Sequence, residues 1–190
     1  MRELNKDQRQ VIAELMKSPG NFSYPFKYLV PDTTGFDILE PIKEHIEWLT
    51  NKGNKFKNIY NTGDFSSITP NEKGHKIEGL FREFCLERAP LLVKRRGMRP
   101  YPDAQISKEI FDSIPYVEIK SFNSKNKYSA LRAFYYSSID GIIRSTQHYM
   151  VGFELNNNNQ IVETHVVALN EIPTQIRIEA NANYNDMWNL

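Results

Sequence analysis

Apolar positions change period several times along the chain. Leu4, Val11, Ile12, Leu15 and Met16 recur at helical spacing until Ser18-Pro19-Gly20, which predicts a first helix that stops there. Ile42, Ile46 and Leu49 predict a second helix, with Pro41 tolerated in its first turn and Gly53 beyond its end. The intervening stretch, rich in Tyr, Phe and Pro, reads as loop, and residues 54–74 read as irregular, with Gly63, Pro70 and several Asn and Ser. From Gly74 the pattern sharpens: Ile77, Leu80, Phe81, Phe84 and Cys85 form one helical stripe from which Arg82 and Glu83 fall away. Glu78 stands at the edge of that stripe, about 100° from Ile77 on a helical wheel. Pro90 ends the helix.

The period then shortens to two. Leu91-Leu92-Val93 begins an extended run that crosses Lys94-Arg95-Arg96 and Arg99, and residues 101–106 and 115–120 predict the next two strands. Residues 128–144 return to helical spacing, with Leu131, Tyr135, Ile139 and Ile142 on one face. Two apolar runs, 148–155 and 160–169, flank four consecutive asparagines and predict strand, loop, strand. A short strand at 176–179 precedes a polar tail carrying Tyr184 and Trp188, and no internal repeat is visible. Helices and strands in this order predict an α/β fold with a central mixed sheet flanked by helices. The expected organisation is a single domain over 1–190: an N-terminal helical elaboration (1–73), a core (74–169) and a C-terminal tail (170–190).

Composition narrows the picture. A chain of 190 residues, 40% hydrophobic and 25% charged, is long enough for one substantial core. A formal charge of +1 excludes a globally basic coat, so any affinity for phosphate must come from local patches of Lys and Arg. The single cysteine, Cys85, allows neither an internal disulfide nor a cysteine-based zinc site and is expected in the core. The N-terminus lacks an apolar leader segment, and no run of about eighteen apolar residues occurs. A reducing, cytoplasmic setting without membrane contact is the expectation. His45, His75, His148 and His165 are scattered without metal-ligand spacing and read as structural. Pro31-Asp32 reads as a turn, and Ser66-Ser67 and the Asn156 to Asn159 run read as loop chemistry.

The chemistry concentrates in Pro102-Asp103 and, fifteen positions after Asp103, in Glu118-Ile119-Lys120. The strand period sends Val117 and Ile119 to one face and Glu118 and Lys120 to the other, so two carboxylates and an ammonium gather in one small region. Such a set offers hard oxygen ligands for Mg²⁺ and an amine beside them. The plain alternative is a half-exposed strand whose solvent face carries an ion pair worth at most about 1 kcal/mol.

With a helix before them and a helix and strands after, these residues resemble the PD-(D/E)XK nuclease superfamily, and within it the type II restriction endonucleases. The resemblance spans roughly 74–169 and implies a restriction-endonuclease-like core. It further implies Asp103 and Glu118 as Mg²⁺ ligands and Lys120 as the residue that orients or activates the hydrolytic water. A further acid on the preceding helix is expected from the resemblance, and Glu78 is best placed for it. The implied reaction is sequence-specific hydrolysis of double-stranded DNA to 5′-phosphate and 3′-hydroxyl ends, by a homodimer that places one site on each strand.

Lys94, Arg95, Arg96 and Arg99 before Asp103, with Lys125 and Lys127 after Lys120, form the candidate DNA track. A junction resolvase, a repair nicking enzyme or a phage exonuclease would use the same acids and lysine. A nonenzymatic DNA-binding or protein-interaction domain would carry them as incidental surface residues.

Overall fold

A computed structural model of the chain describes residues 5–17, 22–63, 70–86, 101–106, 113–123, 142–170 and 172–176. Its elements are α1 (Lys6–Lys17), β1 (Phe22–Pro25), α2 (Phe26–Thr34), α3 (Lys43–Tyr60), α4 (Pro70–Leu86), β2 (Ala104–Gln105), β3 (Tyr116–Asn123), β4 (His148–Leu155), β5 (Ile161–Ala168) and β6 (Pro173–Ile176). The contacts divide the chain into two units, Met1–Tyr24 with Pro173–Leu190, and Pro25–Ile172. In the first unit, Asn5 and Gln8 close the start of α1 reciprocally: each backbone N–H donates to the other's side-chain oxygen, at 3.0 and 2.9 Å. β1 and β6 form a two-stranded sheet.

The larger unit is built on a four-stranded mixed sheet in the order β2-β3-β4-β5. β3 and β4 run parallel, with Glu118 opposite Met150 and Lys120 opposite Gly152, while β2 and β5 pair antiparallel to their neighbours. Helices flank this sheet, an α/β arrangement consistent with a restriction-endonuclease-like core. Every residue of β4 is buried, as befits an internal strand covered on both faces.

Strand alternation explains how both faces are covered. Val117, Ile119, Tyr149, Val151, Phe153 and Leu155 share a core with Leu49, Phe56 and Tyr60 of α3 and with Ile77, Phe81, Phe84 and Cys85 of α4. Phe56, Phe81 and Phe153 interlock there, with ring centroids 5.0 to 5.3 Å apart. On the other face, Tyr116 and Met150 pack with Phe26, Val30, Tyr101, Ile142 and Leu169. Cys85 is buried, as its place in the apolar stripe predicts.

Polar pairings fix α3 on the sheet. The Ile42 N–H donates to Tyr149 Oη at 2.9 Å where the helix begins. At its far end Asn61 accepts from the Ile161 N–H and donates to the Ile161 carbonyl, at 2.8 and 2.9 Å.

Several boundaries differ from the sequence reading. α3 does not stop at Gly53 but runs on to Tyr60, because Gly53 is buried against β5, where a Cβ would overlap the Thr164 methyl. The stretch expected to be irregular therefore contains helix at both ends, 54–60 and 70–74. Pro70 opens α4, where its missing N–H removes no intrahelical bond. Pro31-Asp32 lies within the short helix α2, and the chain turns only at Gly35, whose φ of 76° suits glycine. Residues 142–144 are not helical, and the Ile143 N–H donates instead to Tyr116 Oη at 3.0 Å. The expected strand at 91–93, most of the expected helix at 128–144 and the polar tail lie outside the described residues.

Candidate active site

Asp103 stands where the β2–β3 ladder ends. Ala104 pairs with Val117, and one step further out the Asp103 side chain replaces the backbone as acceptor: the Ile119 N–H donates to Asp103 Oδ2 at 2.7 Å. Asp103 is thereby held against Glu118 and Lys120, which flank Ile119. Lys120 Nζ makes an ion-pair contact with Glu118 Oε1 and lies 4.0 Å from Asp103 Oδ2. The three groups that the sequence singles out do come together.

Their environment is less ordinary than the half-exposed strand that the alternation alone allows. Glu118 is 0% exposed, with Lys120 and Asp103 as the charged groups set against it. Burial, then the nearby Asp103, push its pKa up to about 8 against the pull of Lys120. Burial pushes the Lys120 ammonium down, but Glu118 and Asp103 outweigh it and hold the lysine above its ordinary range.

Glu78, on α4, joins the same field. Burial and then Asp103 raise its pKa, with Arg82, Lys120 and His75 opposing. Arg82 Nη1 donates to Glu78 Oε1 at 2.8 Å, and the exposed His75 Nδ1 lies 4.0 Å from Glu78 Oε2. Arg82 Nη1 also lies 3.5 Å from the Asp103 carbonyl oxygen. The wheel places Arg82 away from the apolar stripe, yet its side chain is only 11% exposed, because it turns onto Glu78 and the Asp103 segment.

The donor chemistry fits a divalent cation. Three carboxylates converge electrostatically, and the single ammonium of Lys120 offsets only part of the cost of burying Glu118 beside Asp103, which leaves room for a further cation. Hard oxygen donors suit Mg²⁺ rather than a thiophilic metal.

The candidate DNA-track residues Lys94, Arg95, Arg96, Arg99, Lys125 and Lys127 lie outside the described residues. His45 and His148 are buried beside tyrosines: His148 Nδ1 is 2.6 Å from Tyr101 Oη and His45 Nδ1 3.3 Å from Tyr149 Oη, which fits the structural reading of both.

Sequence spacing gives no hint that Glu154, Glu163 and His165 meet, with potential ligand atoms within 4.8 Å of one another. The β4–β5 pairing places Glu163 opposite Glu154, and His165 Nε2 lies 3.0 Å from Glu154 Oε2, which accounts for the group as a hydrogen-bonded pair beside a cross-strand acid. Among the described residues, no helix is long and apolar enough to cross a membrane.

A mixed sheet with acids and an amine gathered at its β2–β3 edge is an arrangement suited to hydrolysing phosphodiesters. A family model matches residues 27–190, and the chain belongs to the Type II restriction enzyme MjaV family. It is therefore a sequence-specific DNA endonuclease. That membership disposes of the nonenzymatic reading. None of the curated proteins and none of the solved structures compared with the chain matched it.

Proposed function

We propose that the chain is a nuclease of the PD-(D/E)XK type that cuts double-stranded DNA with Mg²⁺, using Asp103, Glu118, Glu78 and Lys120. The observation that carries this reading is the complete burial of Glu118 beside Asp103 with Lys120 in contact. Asp103, Glu118 and Glu78 would hold the cation, which when bound supplies positive charge to the phosphate as negative charge gathers in the transition state.

The protein's own groups do the rest. Ile119 fixes the orientation of Asp103 through its N–H, so the two halves of the motif keep one geometry. Lys120 reaches both carboxylates and is the group that holds and orients the attacking water. Attack of that water on phosphorus, with departure of the 3′ oxygen, leaves a 5′-phosphate and a 3′-hydroxyl. Lys94, Arg95, Arg96, Arg99, Lys125 and Lys127 would contact phosphates and set the duplex in register. A homodimer would bring one site to each strand of a twofold-symmetric sequence.

The test is digestion of sequenced plasmid DNA with Mg²⁺, followed by mapping and labelling of the ends. Discrete fragments with 5′-phosphates are expected. Intact DNA across a broad library of duplex targets, with Mg²⁺ or Mn²⁺, would overturn the reading, and branch-selective or progressive degradation would move it to another nuclease type.

A further inference from the structure

In each of the three acids, one carboxylate oxygen is engaged by a fixed protein group. The Ile119 N–H holds Asp103 Oδ2, Lys120 contacts Glu118 Oε1, and Arg82 Nη1 holds Glu78 Oε1. The first two groups lie within the Glu118-Ile119-Lys120 motif itself. Arg82 does not, and nothing in the motif requires it.

We propose that Arg82 is a positioning residue for the cation site, a role that rests on reading these carboxylates as metal ligands. An i, i+4 pair on a helix surface is ordinarily exposed and worth about 0.3–0.5 kcal/mol. Here the two side chains are 11% and 17% exposed, and the same guanidinium nitrogen reaches across to the carbonyl of Asp103, 21 residues on. Arg82 thus links α4 to the segment that carries Asp103.

Glu78 has a long side chain at the edge of a helix, free to sample several rotamers unless something holds it. With Oε1 tied to Arg82, the carboxylate is fixed and Oε2 becomes the oxygen that it offers. Groups that orient ligand carboxylates in this way commonly change metal affinity on removal by roughly tenfold to a hundredfold. Charge alone works in the opposite direction, since a cation beside the site repels a second one, and removing it should tighten binding. The sign of the change therefore separates orientation from charge.

The experiment is calorimetric titration of the full chain with Mn²⁺, alongside Mg²⁺-dependent cleavage of a plasmid. Arg82→Ala is expected to weaken Mn²⁺ binding by roughly tenfold or more, and to raise the Mg²⁺ concentration for half-maximal cleavage in parallel. Arg82→Lys keeps the charge but loses the rigid, planar guanidinium that holds one nitrogen between Glu78 and the Asp103 carbonyl, and recovers only part of the affinity. In a Glu78→Gln background, Arg82→Ala should no longer weaken Mn²⁺ binding, an outcome that a general structural role would not produce.

Unchanged or tighter Mn²⁺ binding in the Arg82 variants, or an undiminished effect without Glu78, overturns the proposal. If Arg82→Ala does not fold, as thermal melts in EDTA would show, Arg82→Lys carries the same test. Wild-type protein that binds Mn²⁺ but leaves DNA intact overturns the nuclease mechanism and not the role of Arg82, whereas absence of Mn²⁺ binding overturns both.

Discussion

The backbone N–H of Ile119 donates to Asp103 Oδ2 at 2.7 Å, so the residue between Glu118 and Lys120 is also the anchor of the upstream acid. Its side chain is buried in the core shared by β3, α3 and α4. One residue therefore ties the geometry of the site to the packing beneath it.

Asp103→Asn keeps an oxygen that can accept from Ile119, whereas Asp103→Ala removes the acceptor and leaves that N–H unpaired. Both variants are expected to lose cleavage. Only the alanine should lose stability, by about 1–3 kcal/mol in chemical denaturation. Equal stability of the two variants would show that the bond contributes nothing to the fold.

Lys120→Ala is expected to lower the cleavage rate at least about 100-fold while leaving circular dichroism and most duplex affinity in a gel shift intact. Among the described residues the ion pairs of Lys120 are with the two carboxylates, and Glu118 can accept a proton once the ammonium is gone. Cleavage at the wild-type rate would remove Lys120 from the mechanism.

Glu118 makes stability depend on pH in a defined direction. Its pKa in the fold is pushed up to about 8, from an ordinary value of 4.5, by burial and Asp103. A raised acid binds its proton more tightly in the folded chain, so its contribution is fully present below pH 4.5 and is lost as pH rises through about 8. In EDTA, Glu118→Gln should therefore melt higher than wild type on the alkaline side, with a ceiling of about 5 kcal/mol, and the gap should close on acidification. The same variant should lose the thermal stabilisation that Mn²⁺ gives the wild type. A gap that does not vary with pH would contradict the assignment.

His148 acts on the acid side. Burial lowers its pKa from 6.5 to about 3, so the unfolded chain takes up a proton that the folded chain refuses. Stability is expected to fall as pH drops from 6.5 towards 3, by several kcal/mol at most. Measuring this in Glu118→Gln removes the opposing slope, and an unchanged melting temperature across that window would refute it.

Gly53 and Thr164 should be energetically coupled. In an exposed helix Gly→Ala stabilises by about 1 kcal/mol, but here the added methyl would meet the Thr164 side chain, and Gly53→Ala is expected to destabilise by about 1–3 kcal/mol. Thr164→Ala should relieve much of that loss, giving a coupling of about 1 kcal/mol or more in a double-mutant cycle. Additive effects would place the two residues out of contact.

The same pair shows where the sequence falls short. β4 is read residue for residue as 148–155, and the apolar stripe of α4 from Ile77 to Cys85 is equally plain, because both follow from a local period. The end of α3 is not, since Gly53 looks like a stop until β5, more than a hundred residues on, is seen to press against it. Likewise the short spans of Pro102-Asp103 and Glu118-Ile119-Lys120 make the clustering of acids and lysine legible, but not the enclosure of Glu118. Alternation says which face a side chain takes, and only the packing of Tyr116 and Met150 shows that this face also lies within the fold. Arg82 escapes the wheel for the same reason: its partner Asp103 is distant in the chain.

Enclosing Glu118 against Asp103 sets the cohesion of the fold against the charge that the proposed chemistry needs. Swapping that one acid for its amide is expected to silence the enzyme and tighten the protein in a single step, so that sturdiness and activity pull on the same position in opposite directions.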